Sequence, residues 1–276
     1  MSVFLVTLVP SFVVITVAQV LLGIAAAIFP PTLAAIALGI VGPKKYAHRT
    51  GRMQAFNHAG NVIAAAIGGV AGYLIAVRAV FWLVSILAIF VIVAALTIDP
   101  RVIDNRQARG LAPGQDTGER PSGLRTLIGS RPLLIFAITI TLFHLANAAM
   151  LPIMGQKLAI GNTGEGTLFL AALIIVAQVV MIPMSILVGR RADRWGRKAI
   201  FLAAFIALPL RGVLFTLSNN AGYLISVQVL DGVAAGIFGA LFPLVIADLT
   251  RGTGRYNVTF GVASTMQGIG ASLSTS

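Results

Sequence analysis

The first charged residue of this chain is Lys44, and none of the 43 residues before it is Lys, Arg, Asp or Glu. A bilayer core of ~30 Å is crossed by ~20 apolar residues in a helix, so the opening run is about twice one crossing. Pro10-Ser11 is its natural break. The "MSVFLVTLV" ahead of that break is too short to span alone and reads as the tail of a helix that begins outside the chain. Uncharged segments of helix length follow at about 12–41, 56–77, 79–98, 132–152, 167–188, 199–217, 221–247 and 257–276. The last ends in "GASLSTS" without a charged flank, and reads as cut as well. Inside lipid, every backbone N–H and C=O must be satisfied within its own segment. The expected fold class is therefore all-α, a polytopic transmembrane helical bundle, in keeping with a mean hydropathy of +0.95.

A net charge of +12 raises the question of nucleic acid. Here, however, the cations lie in short runs between apolar segments rather than on one folded face, which speaks for a lipid bilayer as partner and against nucleic acid. Cytoplasmic loops retain Lys and Arg. Alternate connections hold Lys44, Lys45, Arg49 and Arg52, then six arginines from Arg101 to Arg131, then five cations in "GRRADRWGRK" from Gly189, then Arg251 and Arg255. That set contains 17 of the 20 Lys and Arg, whereas the opposite connections hold only Arg78 and Lys157, and Arg211 lies inside a segment. The bias places the first set in the cytoplasm of a multi-pass protein of the cell membrane, the inner membrane of a bacterium. Cysteines introduced at Gln115 and Gly252 are expected to react only from the cytoplasmic side and one at Asn219 only from outside. Labelling of Gln115 from outside would overturn this orientation. The Pro-, Gly- and charge-rich stretch 99–131 reads as a central cytoplasmic linker, which divides the chain into an N-terminal helix group (1–98) and a C-terminal bundle (132–276).

An internal repeat crosses the linker. "QVLLGIAAAIF" from Gln19 and "QVLDGVAAGIF" from Gln228 are identical at eight of eleven positions, and each is followed by a basic loop containing Thr-Gly-Arg. Both copies run toward the cytoplasm, as in parallel repeats related by an axis along the membrane normal. Gly189, Asp193, Arg194, Gly196, Arg197 and Lys198 match G-x-x-x-D-R-x-G-R-K. This resembles the cytoplasmic-loop signature of the major facilitator superfamily of secondary transporters. The resemblance implies a two-bundle architecture, with a fragment of helix three and helices four to eleven present here. It also implies a signature loop that acts as a conformational latch between the halves, the alternative being a charged loop that serves topology alone. The chain departs from the family twice. Aligned on Gly23, the position where many proton-coupled members carry Arg is Gln19, and Gln228 in the repeat. The helix-five pattern of drug antiporters keeps Gly60, Gly68 and Gly69 but has Ala64-Ala65 in place of Gly-Pro.

An ionisable group within the membrane costs about 3 kcal/mol or more at mid-depth and is by default functional. Asp231 is the one acid well inside a segment, and Arg211 in the preceding segment is within reach of it across a hairpin. A permanent structural pair and a proton or substrate site are both open. His144 and Asn147 are three apart and share a helical face just before the breaker Pro152. His144 reads either as a packed, hydrogen-bonded group or as a titrating one. Gln178 and Pro183 suggest a polar, bent cavity wall or ordinary packing. Asn57 and Asn61 read as helix glue, and His58 receives no role. Without Cys, and with eight scattered acids and three His, the chain shows no metal-ligand spacing, no nucleophile beside a base and no P-loop. The expectation is a non-enzyme without cofactors that moves a small-molecule substrate by alternating access, with proton-coupled efflux of an organic compound as the narrower reading. A non-transporting membrane sensor on the same fold, or an inactive truncated product, is the competing class.

Overall fold

The computed structural model describes residues 11–75, 77–111, 129–161 and 166–275. In chain order the helices are α1 (Phe12–Leu74), α2 (Val77–Leu96), α3 (Asn105–Ala108), α4 (Arg131–Asn147), α5 (Met150–Gly161), α6 (Gly166–Trp195), α7 (Arg197–Leu214), α8 (Ala221–Leu249) and α9 (Tyr256–Thr275), with a 3-10 turn at Pro100–Val102. There is no strand among the described residues. The stretches Phe12–Ala71, Arg131–Leu158, Leu168–Trp195 and Ala221–Leu249 are long and apolar enough to cross a membrane. Gln115 lies outside the described residues.

Helix α1 is two rods joined at Gly42, whose φ of 68° only glycine adopts freely. Pro43 follows, its fixed φ suited to the first position of the second rod. The basic stretch from Lys44 to Arg52, expected as a loop, is instead the first turns of that rod. One glycine makes the whole turn, and Gly51 has to be helical to meet α6. The second copy of the Thr-Gly-Arg loop behaves differently: Gly252 and Gly254 take positive φ and separate α8 from α9. Tyr46 staples the kink by donating to the Ala34 carbonyl at 3.2 Å.

The second rod of α1 runs antiparallel to α6 along its length. Gly51 meets Ser185 and Gly189, His58 and Asn61 meet Gln178, and Gly69 meets Ala171. At the kinked end of α1, residues 104–110 clasp α1 to the turn between α8 and α9. Asp104 caps α3 by accepting from the Arg106 and Gln107 amides, and these bonds, led by Gln107, hold its carboxyl below the usual range. The Asp104 amide donates to the Gly39 carbonyl of α1 at 3.2 Å, while the Gly110 and Arg109 carbonyls accept from Gly252 at 2.7 Å and Tyr256 at 3.3 Å. Beneath the clasp the Tyr46 and Tyr256 hydroxyls share a buried hydrogen bond of 2.6 Å. Because Tyr46 spends its proton on Ala34, Tyr256 is the donor.

Helix α8 is the central element, buried from Leu224 to Ile246 on most of its faces. Gly232 and Gly236 let it lie against Ala177, Val180 and Met181 of α6. A ladder of rings fills the space between α4, α7 and α8, with Phe143 stacked on Phe238 at 5.0 Å and edge-on to Phe205 at 5.2 Å. Gly270 of α9 packs on the Thr141 backbone of α4 with no room for a Cβ. The two copies of the repeat differ in burial. Gln228 and Gly232 are enclosed, whereas Gln19 is exposed and Gly23 faces open space.

Candidate functional site

The site is built where α4 ends. Asn147 is the last residue of α4, the chain turns at residues 148–149, and α5 restarts at Met150 with Pro152 in its first turn. The break comes before the proline rather than at it, because Pro is accommodated in a first turn, where its missing N–H bonds nothing anyway. Breaking a membrane helix frees backbone groups that need partners. Here the Ala149 amide donates to the Ser274 hydroxyl of α9 at 3.0 Å.

Into this break points Arg211, from the last turn of α7 and 1% exposed. It makes an ion pair with Asp231 of α8, donates from its other terminal nitrogen to Asn147 Oδ1 at 2.8 Å and from Nε to Met150 Sδ at 3.3 Å, and lies 5.6 Å over the Phe215 ring. Four elements thus converge on one guanidinium. In a low-dielectric surround the pair's attraction offsets the cost of stripping water only while both partners are present. Asp231 sits ten residues into α8, ~15 Å along its axis at 1.5 Å per residue. A charge pair beside an interrupted helix can hold a polar ligand group or exchange a proton, because loosening one bond leaves the others to keep the rest in place.

The remaining sequence candidates disperse. His144 shares a hydrogen bond with the Ile140 carbonyl of its own helix at 3.1 Å and meets the Phe238 ring edge at 4.8 Å. It has no hydrogen bond to the Arg211 cluster among the described residues. Gln228 is fully buried, one turn from Asp231, with no hydrogen-bond partner for either side-chain polar atom among the described residues. Gln178 lies at the α1–α6 contact, accepting from the His58 ring at 2.6 Å and from Asn61 at 3.4 Å. Gln19 is far from any such arrangement, on an exposed face. In the helix-five glycine motif, Gly68 and Gly69 are buried and Gly69 abuts Ala171, while Gly60 faces open space.

His58 is the residue that the sequence reading passed over. Since the Gln178 oxygen can only accept, His58 Nδ1 carries the proton, and its buried Nε2 has no partner among the described residues. The available signal was the three-residue spacing of His58 and Asn61. Nothing in the sequence says that this face meets a helix 120 residues away.

In the signature loop, Gly196 takes a φ of 82° and turns the chain from α6 into α7. Asp193 accepts from Arg197 at 2.7 Å, and Arg197 reaches Asp248 at the end of α8 at 2.9 Å, where Arg251 also approaches at 3.6 Å. These ion pairs tie α6, α7 and α8 to one another. The contact with α1 comes from the motif's first glycine: Gly189 lies against Gly51 and the Ala47 carbonyl, with no space for a side chain. Arg194 and Lys198 are exposed.

Two curated relatives, each called an "uncharacterized MFS-type transporter", come from Mycobacterium tuberculosis strains CDC 1551 / Oshkosh and ATCC 25618 / H37Rv, and each is 49% identical to this chain over 262 residues. The alignment covers 94% of this chain and 62% of each relative, so the chain spans less than two thirds of their length. The profile of the Major Facilitator Superfamily matches residues 1–275. With a match over essentially its whole length, the chain belongs to the major facilitator superfamily.

Proposed function

We propose that this protein moves a small organic solute across the membrane by alternating access, exporting it from the cytoplasm in exchange for protons, with Asp231 as the group that is charged and discharged in the cycle. The single observation that carries this reading is the Arg211–Asp231–Asn147 cluster at the break between α4 and α5. Among the described residues Asp231 is the one acid in the middle of a long apolar helix, and its repeat counterpart is Leu22, so the packing of this helix type does not require a carboxylate. Residues 1–98 and 132–276 act as the two moving groups. The Tyr46–Tyr256 bond, the linker clasp and the α1–α6 contact make up the cytoplasmic closure that has to part in the other state. The Asp193–Arg197–Asp248 pairs keep α6, α7 and α8 moving as one body.

The test is counterflow in proteoliposomes containing the purified chain, using a panel of labelled organic cations and neutral compounds with and without an imposed pH gradient. At least one compound is expected to exchange, faster when the trans side is acidic. Exchange that ignores the gradient would reject proton coupling. A folded, correctly oriented protein that exchanges nothing in the panel would favour the sensor reading.

A further inference from the structure

Beside the α1–α6 contact of the proposed closure lies a basic cleft, and its assignment rests on that reading. Gly51 of α1 and Gly189 of α6 pack backbone to backbone, so the side chains three residues before and one residue after each glycine converge. On α1 these are His48 and Arg52, four apart on one face. On α6 they are Ile186 and Arg190, also four apart. Together they line a cavity of about 230 Å³. None of the three basic side chains has a hydrogen bond or ion pair among the described residues, and no acid lines the space. Asp193, the nearest acid in sequence, is turned to Arg197, and Arg191 lies over the Trp195 ring at 5.6 Å. His48, Arg52 and Arg190 are exposed, so the cleft is open to an incoming anion, and the two guanidiniums and the imidazole offer it converging donors. Planar guanidiniums match the paired oxygens of an oxyanion in a way that spherical chloride does not, and a tetrahedral phosphate can meet both guanidiniums and the imidazole at once.

We infer that the cleft between His48, Arg52 and Arg190 binds a phosphate group. On α6 Arg190 lies five residues before Trp195, on the membrane side of it in the proposed orientation, and Trp favours the level of lipid headgroups, so a phosphodiester of an anionic lipid can reach the cleft from the membrane and a soluble phosphate can reach it from the cytoplasm. Two ligating residues come from α1 and one from α6, so an occupant bridges the two helix groups and stabilises them in the closed arrangement seen here.

The experiment measures thermal unfolding and lipid retention of the full chain in nanodiscs of phosphatidylcholine, of phosphatidylcholine with phosphatidylglycerol, and of phosphatidylcholine with added inorganic phosphate. Phosphatidylglycerol or inorganic phosphate is expected to raise the melting temperature, the responding probe naming the source. The double variant Arg52→Gln with Arg190→Gln should bind that probe at least about tenfold more weakly, from two charge pairs lost at exposed positions. Lys44→Gln with Lys45→Gln, an equal charge loss on the same helix outside the cleft, should bind as the parent does. Should the arginine variant fold poorly, Ile186→Glu supplies a carboxylate inside the cleft and should abolish the response without lowering the basal melting temperature. Response to neither probe, equal weakening in both double variants, or a full response in Ile186→Glu would overturn the site.

Discussion

Asp231→Asn alone is expected to destabilise the protein by about 3–5 kcal/mol, because it leaves the Arg211 guanidinium buried beside a group that cannot neutralise it. Asn147 and Met150 would still accept from Arg211, but neither carries charge. The expected observations are a lower yield of folded protein in the membrane and a large drop in melting temperature. Arg211→Gln alone should be damaging for the mirrored reason, although a lone buried acid can take up a proton and so loses less. Combining Asp231→Asn with Arg211→Gln removes both charges and should restore folding and melting temperature to near the parent, the non-additivity measuring the pair itself. Transport separates the two roles. If Asp231 carries a proton or contacts the solute, the rescued double variant stays inactive in counterflow, since no neutral amide can be charged and discharged. Full counterflow by the double variant would reduce the pair to a structural brace.

Gly51→Ala should be the most damaging single methyl group that can be added to α1. A Cβ at Gly51 would lie 2.6 Å from the Ser185 carbonyl oxygen and 2.7 Å from the Gly189 Cα, both backbone atoms of α6 that cannot swing aside. The two helices must separate there, at a cost of roughly 1–3 kcal/mol for overpacking. Gly60→Ala is the matched control on the same rod, because its Cβ would meet nothing within 4 Å. Both changes gain the same helix propensity, up to about 1 kcal/mol. Gly60→Ala should therefore be neutral or stabilising, and the difference between the two isolates the clash. The readout is cross-linking of cysteines placed at Tyr46 and Tyr256 by a flexible bifunctional maleimide, because tyrosines whose hydroxyls touch hold their Cβ atoms too far apart for a direct disulfide. Cross-linking should be rapid in the parent and in Gly60→Ala, and slow in Gly51→Ala. Equal cross-linking in all three would mean that the glycine contact does not hold this end shut.

Much of the architecture was legible because a bilayer leaves few options. Runs such as the residues before Lys44 can only be helices, and "GRRADRWGRK" together with the paired "QVLLGIAAAIF" and "QVLDGVAAGIF" carries the family. Asp231 and Arg211 stood out from the sequence because charge inside a membrane is costly wherever it faces, and sequence proximity across a hairpin suggested that they could meet. Their third partner, Asn147, was visible only as a polar residue near a proline. Its position at a helix break, aimed at a guanidinium 64 residues away, was not.

What only the tertiary structure decided is which face of each helix meets which neighbour. In water, an apolar stripe betrays the buried side of a helix. In lipid, the surround is as apolar as the core, and that asymmetry is absent. Tyr46 and Tyr256 are 210 residues apart, His58 and Gln178 are 120 apart, and no periodicity in the sequence links either pair. The same blindness hid the difference between the two copies of the repeat, since Gln19 and Gln228 have nearly the same neighbours in sequence, yet one is exposed and the other enclosed. The sequence by itself determined that this chain is a set of membrane helices of one transporter family. Contacts between residues distant in the chain, made through glycines that let backbones touch and through single polar side chains that find each other, decided where its charges pair and which helices meet.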